Sequence, residues 1–154
     1  ADVGGGGAKV IDPEFAVYGP PGLDVGSLLS GYILAYVALA CAGQSDAAAG
    51  VRGCMELIWR SYAASLEAGG VSGALVEQTA ADAVGFAACE VARTALGFAG
   101  VRSLPIEDEK LKSVAERAAL DMAHRCIVGP RDRGMALLFE EMDVLARAVR
   151  TPES

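Results

Sequence analysis

Apolar residues recur at helical spacing along most of this chain. In one stretch they fall at intervals of three and four residues, at Val51, Met55, Ile58, Trp59 and Tyr62. This spacing places them on one face of an α-helix. If glycine and proline are taken as residues that end a helix, the same pattern predicts five helices, near residues 26–42, 46–68, 71–98, 106–128 and 131–149. The sequence therefore predicts a mainly α protein.

Residues that are favoured at the N- or C-termini of helices support these boundaries. Asp24 and Ser27 stand close to the start of the first apolar run, where short polar side chains cap helices. The glycines at 69–70 are typical of a helix C-terminus. Pro105, followed by acidic residues at 107–109, is typical of a helix N-terminus, because proline and negative charge are both favoured there.

The first helix is apolar enough to raise the question of a membrane. No residue between Asp24 and Asp46 is charged, and a spanning helix needs about 20 apolar residues. However, one end of this stretch is less apolar, because it contains Ser27, Ser30 and Gly31. We therefore expect a buried helix of a soluble protein, with a membrane span at 28–42 as the less favoured alternative.

The length, charge and cysteine content of the chain limit the classes of protein to which it can belong. The chain has 154 residues, of which 53% are hydrophobic, and a net charge of −7. This length predicts one domain, and the negative charge argues against binding to nucleic acid or to anionic membranes. The four cysteines show no closely spaced pair, which argues against structural zinc and predicts buried, reduced thiols in the cytoplasm: Cys41, Cys54, Cys89 and Cys126.

The N-terminal region differs from the helical remainder. We expect a flexible start at 1–8, a strand and loop at 9–26, and a helical subdomain at 27–150. Residues 9–11 are the only strand-like run, a short β-strand stub, and a lone strand leaves its backbone groups unpaired. The sequence therefore predicts that a partner strand lies outside this chain.

The sequence Asp12-Pro13-Glu14 is the clearest candidate for chemistry. Two carboxylates two residues apart in extended backbone project to the same side, and Pro13 favours the extended conformation at Asp12. Hard oxygen ligands of this kind suit Mg²⁺ held between carboxylates and phosphates. The alternative is an ordinary solvated turn that contains a proline.

The residues around this pair resemble a known family. The run 9–16, with Tyr18-Gly19-Pro20, Gly22 and then 24–26, is similar to a block of the methylthioribose kinases, which are kinase-like phosphotransferases. In that family the block reads D-P-E-F-A, an aromatic residue, G-P and then G-F-D-I-G. This chain departs from it at Pro21, Leu23 and Val25. A weaker similarity covers residues 93–101, which resemble the segment R-R-x-x-G-x-A-H-V.

The resemblance implies roles for five residues. Asp12 and Glu14 would hold Mg²⁺ on the phosphates of ATP, and Asp24 would brace the catalytic loop, with helix capping as the alternative. Arg93 would bind the sugar. Thr94 stands in that sugar site where the family has a second arginine.

For Arg93 the alternative is a surface residue paired with Glu90 or Glu77. The strength and identity of substrate binding are left open, because Thr94 cannot supply the charge of an arginine.

The resemblance also implies a fold and a reaction. The fold is the helical part of a protein-kinase-like C-lobe. The reaction is ATP-dependent phosphorylation of the 1-hydroxyl of 5-methylthioribose, in cytoplasmic methionine salvage. The partners are the small-molecule substrate and ATP, without nucleic acid or membrane, and kinases of this kind often form homodimers.

Two elements of the family are missing from this chain: the H-G-D catalytic loop, and the N-terminal lobe with its nucleotide-binding lysine. The family carries an H-G-D loop whose aspartate is the general base, just upstream of D-P-E, whereas the one histidine here is His124. We therefore expect the C-terminal portion of a kinase, inactive alone and without a catalytic residue of its own. The second hypothesis is a non-catalytic helical binding or scaffold module that retains this fold.

Overall fold

The computed structural model describes residues 17–98 and 103–150. They form five α-helices: α1 Gly22–Cys41, α2 Ser45–Ala68, α3 Gly73–Ala95, α4 Glu109–Val128 and α5 Gly134–Arg150, with a short 3-10 turn at Arg131–Arg133. The mainly α fold and all five predicted helices are confirmed, and these described ranges contain no strand. The flexible start at 1–8 and the strand stub at 9–11 lie outside them.

The start of α1 differs from the sequence-based expectation. The helix begins at Gly22, four residues early, with Pro21 in the N-cap position at φ −58°. Proline already has a helical φ and lacks the N–H that a first turn leaves unpaired. The Leu23 amide donates to the Pro20 carbonyl at 3.0 Å. Asp24 and Ser27 therefore lie inside the helix and not at its cap.

Helices α4 and α5 each begin three residues later than predicted. Helix α4 begins at Glu109 because the Asp108 carboxylate accepts a hydrogen bond from the Leu111 amide at 2.9 Å. Aspartate is a preferred N-cap residue. Helix α5 does not begin at 131, because residues 131–133 form the 3-10 turn and Gly134 then adopts φ +46°. That backbone region favours glycine and interrupts a continuous helix.

Helix α1 occupies the centre of the bundle. It packs against all four other helices, and Leu29, Ile33 and Val37, spaced four apart, are fully buried. By length and composition it is the one described helix that could cross a membrane, yet half of its most apolar stretch is buried inside the protein. Its packing is that of a core helix.

Helix α2 lies on the outside of this bundle. Its main contact is with α1, and only Ala48 and Met55 are buried. The predicted stripe faces the core, where the ring centroids of Trp59 and Tyr62 lie 6.1 Å apart. The opposite face of α2 is left to solvent.

The environments of the cysteines correct one expectation. All four thiols are free, but Cys54 and Cys89 are exposed, so the prediction of burial is wrong for them. Cys54 lies on the outer helix α2. Cys126 is buried, and this burial, together with the nearby charge of Glu141, raises the pKa of its thiol to about 12.

Candidate functional site

The described residues contain only part of the predicted site. Asp12 and Glu14, the predicted metal ligands, lie outside residues 17–98 and 103–150, so their role stays a prediction. Asp24, Arg93 and Thr94 lie inside. The structure therefore describes only the residues that follow the predicted metal ligands in the sequence.

The chain enters α1 through a short, constrained segment. Tyr18 is fully exposed, and Pro20 and Pro21 then fix the backbone φ angles. The Tyr62 hydroxyl, from the far end of α2, donates to the Pro21 carbonyl at 3.4 Å. Helix α2 thus contacts the last residue before α1.

The first turns of α1 lie unusually close to α3. A Cβ placed on Gly22 would be 2.7 Å from the Ala83 amide nitrogen, and one placed on Gly26 would be 2.5 Å from the Ala83 carbonyl oxygen. Gly22 lies against Thr79, and Gly26 lies against Ala87. The contact on α3 moves from Thr79 to Ala87 when the position on α1 moves from Gly22 to Gly26. Helices α1 and α3 therefore run in the same direction.

Asp24 lies between these two glycines. It is the third residue of α1, and its side chain is exposed. Its carboxylate is therefore accessible to a neighbouring segment. The bracing role implied by the resemblance requires that exposure, and this role stays a prediction.

Arg93 and Thr94 lie in the last turn of α3 but on different sides of it. The Arg93 side chain is 50% exposed, and its guanidinium pairs with the Glu90 carboxylate at 2.8 Å. This is the arrangement expected if Arg93 is a surface residue paired with Glu90. The Thr94 side chain is buried, and its hydroxyl donates to the Glu90 carbonyl at 2.9 Å. Arg93 therefore presents a cation to solvent, whereas Thr94 presents no polar group.

The described structure does not bring Asp24 and Arg93 together. The first turn of α1 packs on α3 near Ala83. Arg93 is ten residues further along α3, which corresponds to roughly 15 Å at the rise of an α-helix. A site that includes both residues must extend along the α1–α3 pair.

A polar groove that the sequence did not predict lies at the opposite end of α1. Its volume is about 500 Å³, and it is lined by Tyr36, Arg52, Asp143 and Arg150 among others. A guanidinium nitrogen of Arg52 lies 3.6 Å from a carboxylate oxygen of Glu56 and 3.9 Å from one of Asp143. The central carbon of the same guanidinium lies 5.2 Å from the centroid of the Phe139 ring. Burial, and then Asp143, raise the pKa of Tyr36.

Three acidic and three basic side chains line this groove, and Arg52 pairs with two of the carboxylates. This balance is typical of a structural cluster joining α1, α2 and α5. No motif could have indicated it, because its residues are far apart in sequence. Over residues 17–98 and 103–150, no group of three or more His, Cys, Asp or Glu side chains could hold a metal ion.

Comparison with known proteins finds relatives along the whole chain. The methylthioribose kinase of Yersinia pseudotuberculosis serotype O:1b is 31% identical over an alignment 174 positions long, gaps included, which covers 99% of this chain. That of Geobacillus thermodenitrificans is 35% identical over 130 residues, covering 78%. The chain spans only 40% and 33% of these two relatives. No protein-family model and no solved structure matches it.

Proposed function

The chain belongs to the methylthioribose kinase family, and we propose that it forms part of an ATP-dependent kinase for 5-methylthioribose. The observation that carries the proposal is the similarity to proteins named methylthioribose kinase along 99% of the chain. The reaction is transfer of the γ-phosphoryl group of ATP to the 1-hydroxyl of the sugar. We place it in cytoplasmic methionine salvage.

In this proposal Asp12 and Glu14 hold Mg²⁺. Their chemistry fits that ion, because carboxylate oxygens are the hard ligands that Mg²⁺ prefers and they leave positions for phosphate oxygens. When bound, Mg²⁺ neutralises charge that develops on the transferred phosphoryl group. Asp12 and Glu14 would hold this ion and would thereby orient the triphosphate.

The other two residues act on either side of this pair. Asp24, exposed in the first turn of α1, accepts hydrogen bonds from the catalytic loop and so braces it. Arg93 offers a guanidinium to the sugar hydroxyls. The general base is the aspartate of an H-G-D loop, which residues 1–154 do not contain.

An ATP-consumption assay tests the proposed reaction. We expect the protein that carries this chain to release ADP with 5-methylthioribose, and at least about 100 times more slowly with ribose, because the missing methylthio group removes apolar binding energy used in the transition state. A folded protein that consumes no ATP with any sugar would support the scaffold alternative and contradict the proposal.

Replacing Arg93 tests the sugar site separately. We expect Arg93→Ala to raise the KM for 5-methylthioribose about tenfold, which corresponds to loss of about 1.4 kcal/mol from a charge-assisted hydrogen bond. The KM for ATP should stay within about twofold of the parent value, since binding is lost only at the sugar.

Arg60→Ala is the matched control, because Arg60 is an exposed arginine on the outer helix α2. Glu90→Gln breaks the ion pair of Arg93 without removing the guanidinium. If Arg93→Ala leaves the sugar KM unchanged, Arg93 is only the surface partner of Glu90.

A further inference from the structure

We propose that Leu96 and Phe98 bind the methylthio group of the sugar and thereby select 5-methylthioribose over ribose. Both side chains are apolar and exposed, and both lie at the end of α3 close to Arg93 in the sequence. The inference rests on the proposed function, because it takes Arg93 as the residue that binds the sugar hydroxyls. It assigns the contact that distinguishes this sugar from ribose.

Helix α3 ends in a Schellman motif, which sets the backbone position of Phe98. The Phe98 amide donates to the Arg93 carbonyl at 2.9 Å. The Gly97 amide donates to the Thr94 carbonyl at 3.1 Å, and Gly97 adopts φ +78°, a backbone conformation that favours glycine. The backbone of Phe98 is therefore fixed next to that of Arg93.

The same motif at the end of α2 provides a comparison within the chain. There the Val71 amide donates to the Leu66 carbonyl at 2.9 Å, and both side chains are half-buried. An apolar pair at these two positions frequently accompanies the motif. In α3 the corresponding pair is Phe98 and Arg93, so the motif gives the ring no large apolar partner. Phe98 is 76% exposed.

Leu96 extends the apolar surface on the side of α3 that carries Arg93. Its backbone is still in the helical region, and helical residues three positions apart are neighbours on one face. Its side chain is 56% exposed. The end of α3 therefore presents a guanidinium followed by two exposed apolar side chains.

This arrangement matches the chemistry of 5-methylthioribose. Sugar hydroxyls accept hydrogen bonds from a guanidinium, whereas the methylthio group is an apolar thioether. Thioether sulfur makes favourable contacts with aromatic rings, and Phe98 supplies such a ring. Ribose carries a hydroxyl in place of the methylthio group, and two apolar side chains cannot replace the hydrogen bonds that this hydroxyl makes with water. The thioether is therefore favoured by contact, and the hydroxyl is disfavoured by desolvation.

Equilibrium binding tests the assignment without turnover and without added Mg²⁺. Isothermal titration calorimetry uses the full protein that carries this chain, with a non-hydrolysable ATP analogue present. It measures the Kd for 5-methylthioribose directly and the Kd for ribose by competition. We expect the Kd for 5-methylthioribose to rise about tenfold in Phe98→Ala and about threefold in Leu96→Ala, from lost apolar contact. The Kd for ribose should rise by no more than about twofold.

Leu57→Ala is the matched control, because Leu57 is a leucine of nearly equal exposure, 57%, on the outer helix α2. It should leave both Kd values within about twofold of the parent. Leu96→Ala keeps the test decisive if Phe98→Ala does not fold. Parent-like binding of 5-methylthioribose by a folded variant overturns the assignment. So does equal weakening of both sugars, which is what loss of packing against the rest of the protein would produce.

Arg93→Ala distinguishes this result from failure of the proposed function. Both sugars carry the hydroxyls that Arg93 binds, so we expect Arg93→Ala to raise both Kd values by similar factors, about tenfold. A parent protein that binds neither sugar, or Arg93→Ala with unchanged Kd values, contradicts the proposed sugar site. Only the assignment of Leu96 and Phe98 fails when Arg93→Ala weakens both sugars but the other two variants weaken 5-methylthioribose no more than ribose.

Discussion

Replacing Asp12 by asparagine in the protein that carries this chain is expected to lower kcat about a thousandfold or more, with the fold intact. Loss of a bound divalent ion removes several kcal/mol of charge stabilisation, and three decades of rate correspond to about 4 kcal/mol. Asparagine has nearly the same shape as aspartate but lacks its negative charge. The initial rate of ADP formation measures the effect.

The control for this substitution is Asp121→Asn. Asp121 is an exposed aspartate on α4, so the same chemical change there should leave kcat within about twofold. Glu14→Gln should resemble Asp12→Asn. A folded Asp12→Asn protein with the parent kcat would show that this carboxylate does not hold a catalytic metal.

Replacing Leu29 by alanine is expected to lower the free energy of unfolding by about 3 kcal/mol, which is the usual cost of truncating a fully buried leucine. Leu29 has no exposed surface at the centre of α1, where helices from both sides of the bundle meet. The cost combines the lost transfer energy of the side chain with an unfilled cavity. Urea-induced unfolding followed by circular dichroism measures it.

The adjacent Leu28 supplies a matched comparison. Its side chain is 51% exposed, so Leu28→Ala should change the free energy of unfolding by no more than about 0.5 kcal/mol. The contrast between the two neighbours follows from α1 being a core helix of a globular bundle. Equal effects of the two substitutions would contradict the packing of α1 described above.

The helices could be predicted from the sequence because each has a periodic apolar stripe and a clear stop. The errors fall where a single local contact decides the boundary. Asp108 caps α4 at 2.9 Å, and this contact moves the start three residues beyond the expected one. Gly134 turns the chain with φ +46°, an angle that periodicity does not encode.

Arg93 and Thr94 show what the sequence could not separate. Adjacent helical residues differ by about 100° around the helix axis, so only one of the two can share a given face. In the alanine-rich α3 the contrast between apolar and polar faces is weak, and the sequence left the orientation open. The structure buries Thr94 and exposes Arg93.

The close approach of α1 to α3 was beyond sequence-based inference for a different reason. Gly22 and Gly26 fall within the family block, but the pattern does not show what they touch. Their role depends on the backbone of Ala83, which is 57 residues after Gly26. Contacts of this kind become visible only when tertiary structure is known.

Titration with Mn²⁺ tests the central claim most directly, since Mn²⁺ accepts the same oxygen ligands as Mg²⁺ and its free ion gives an electron paramagnetic resonance signal. The measurement compares the parent protein with Asp12→Asn in the presence of a non-hydrolysable ATP analogue. We predict that the parent retains Mn²⁺ at least about tenfold more tightly than Asp12→Asn does. Equal retention by the two proteins would contradict the assignment of Asp12 as a metal ligand.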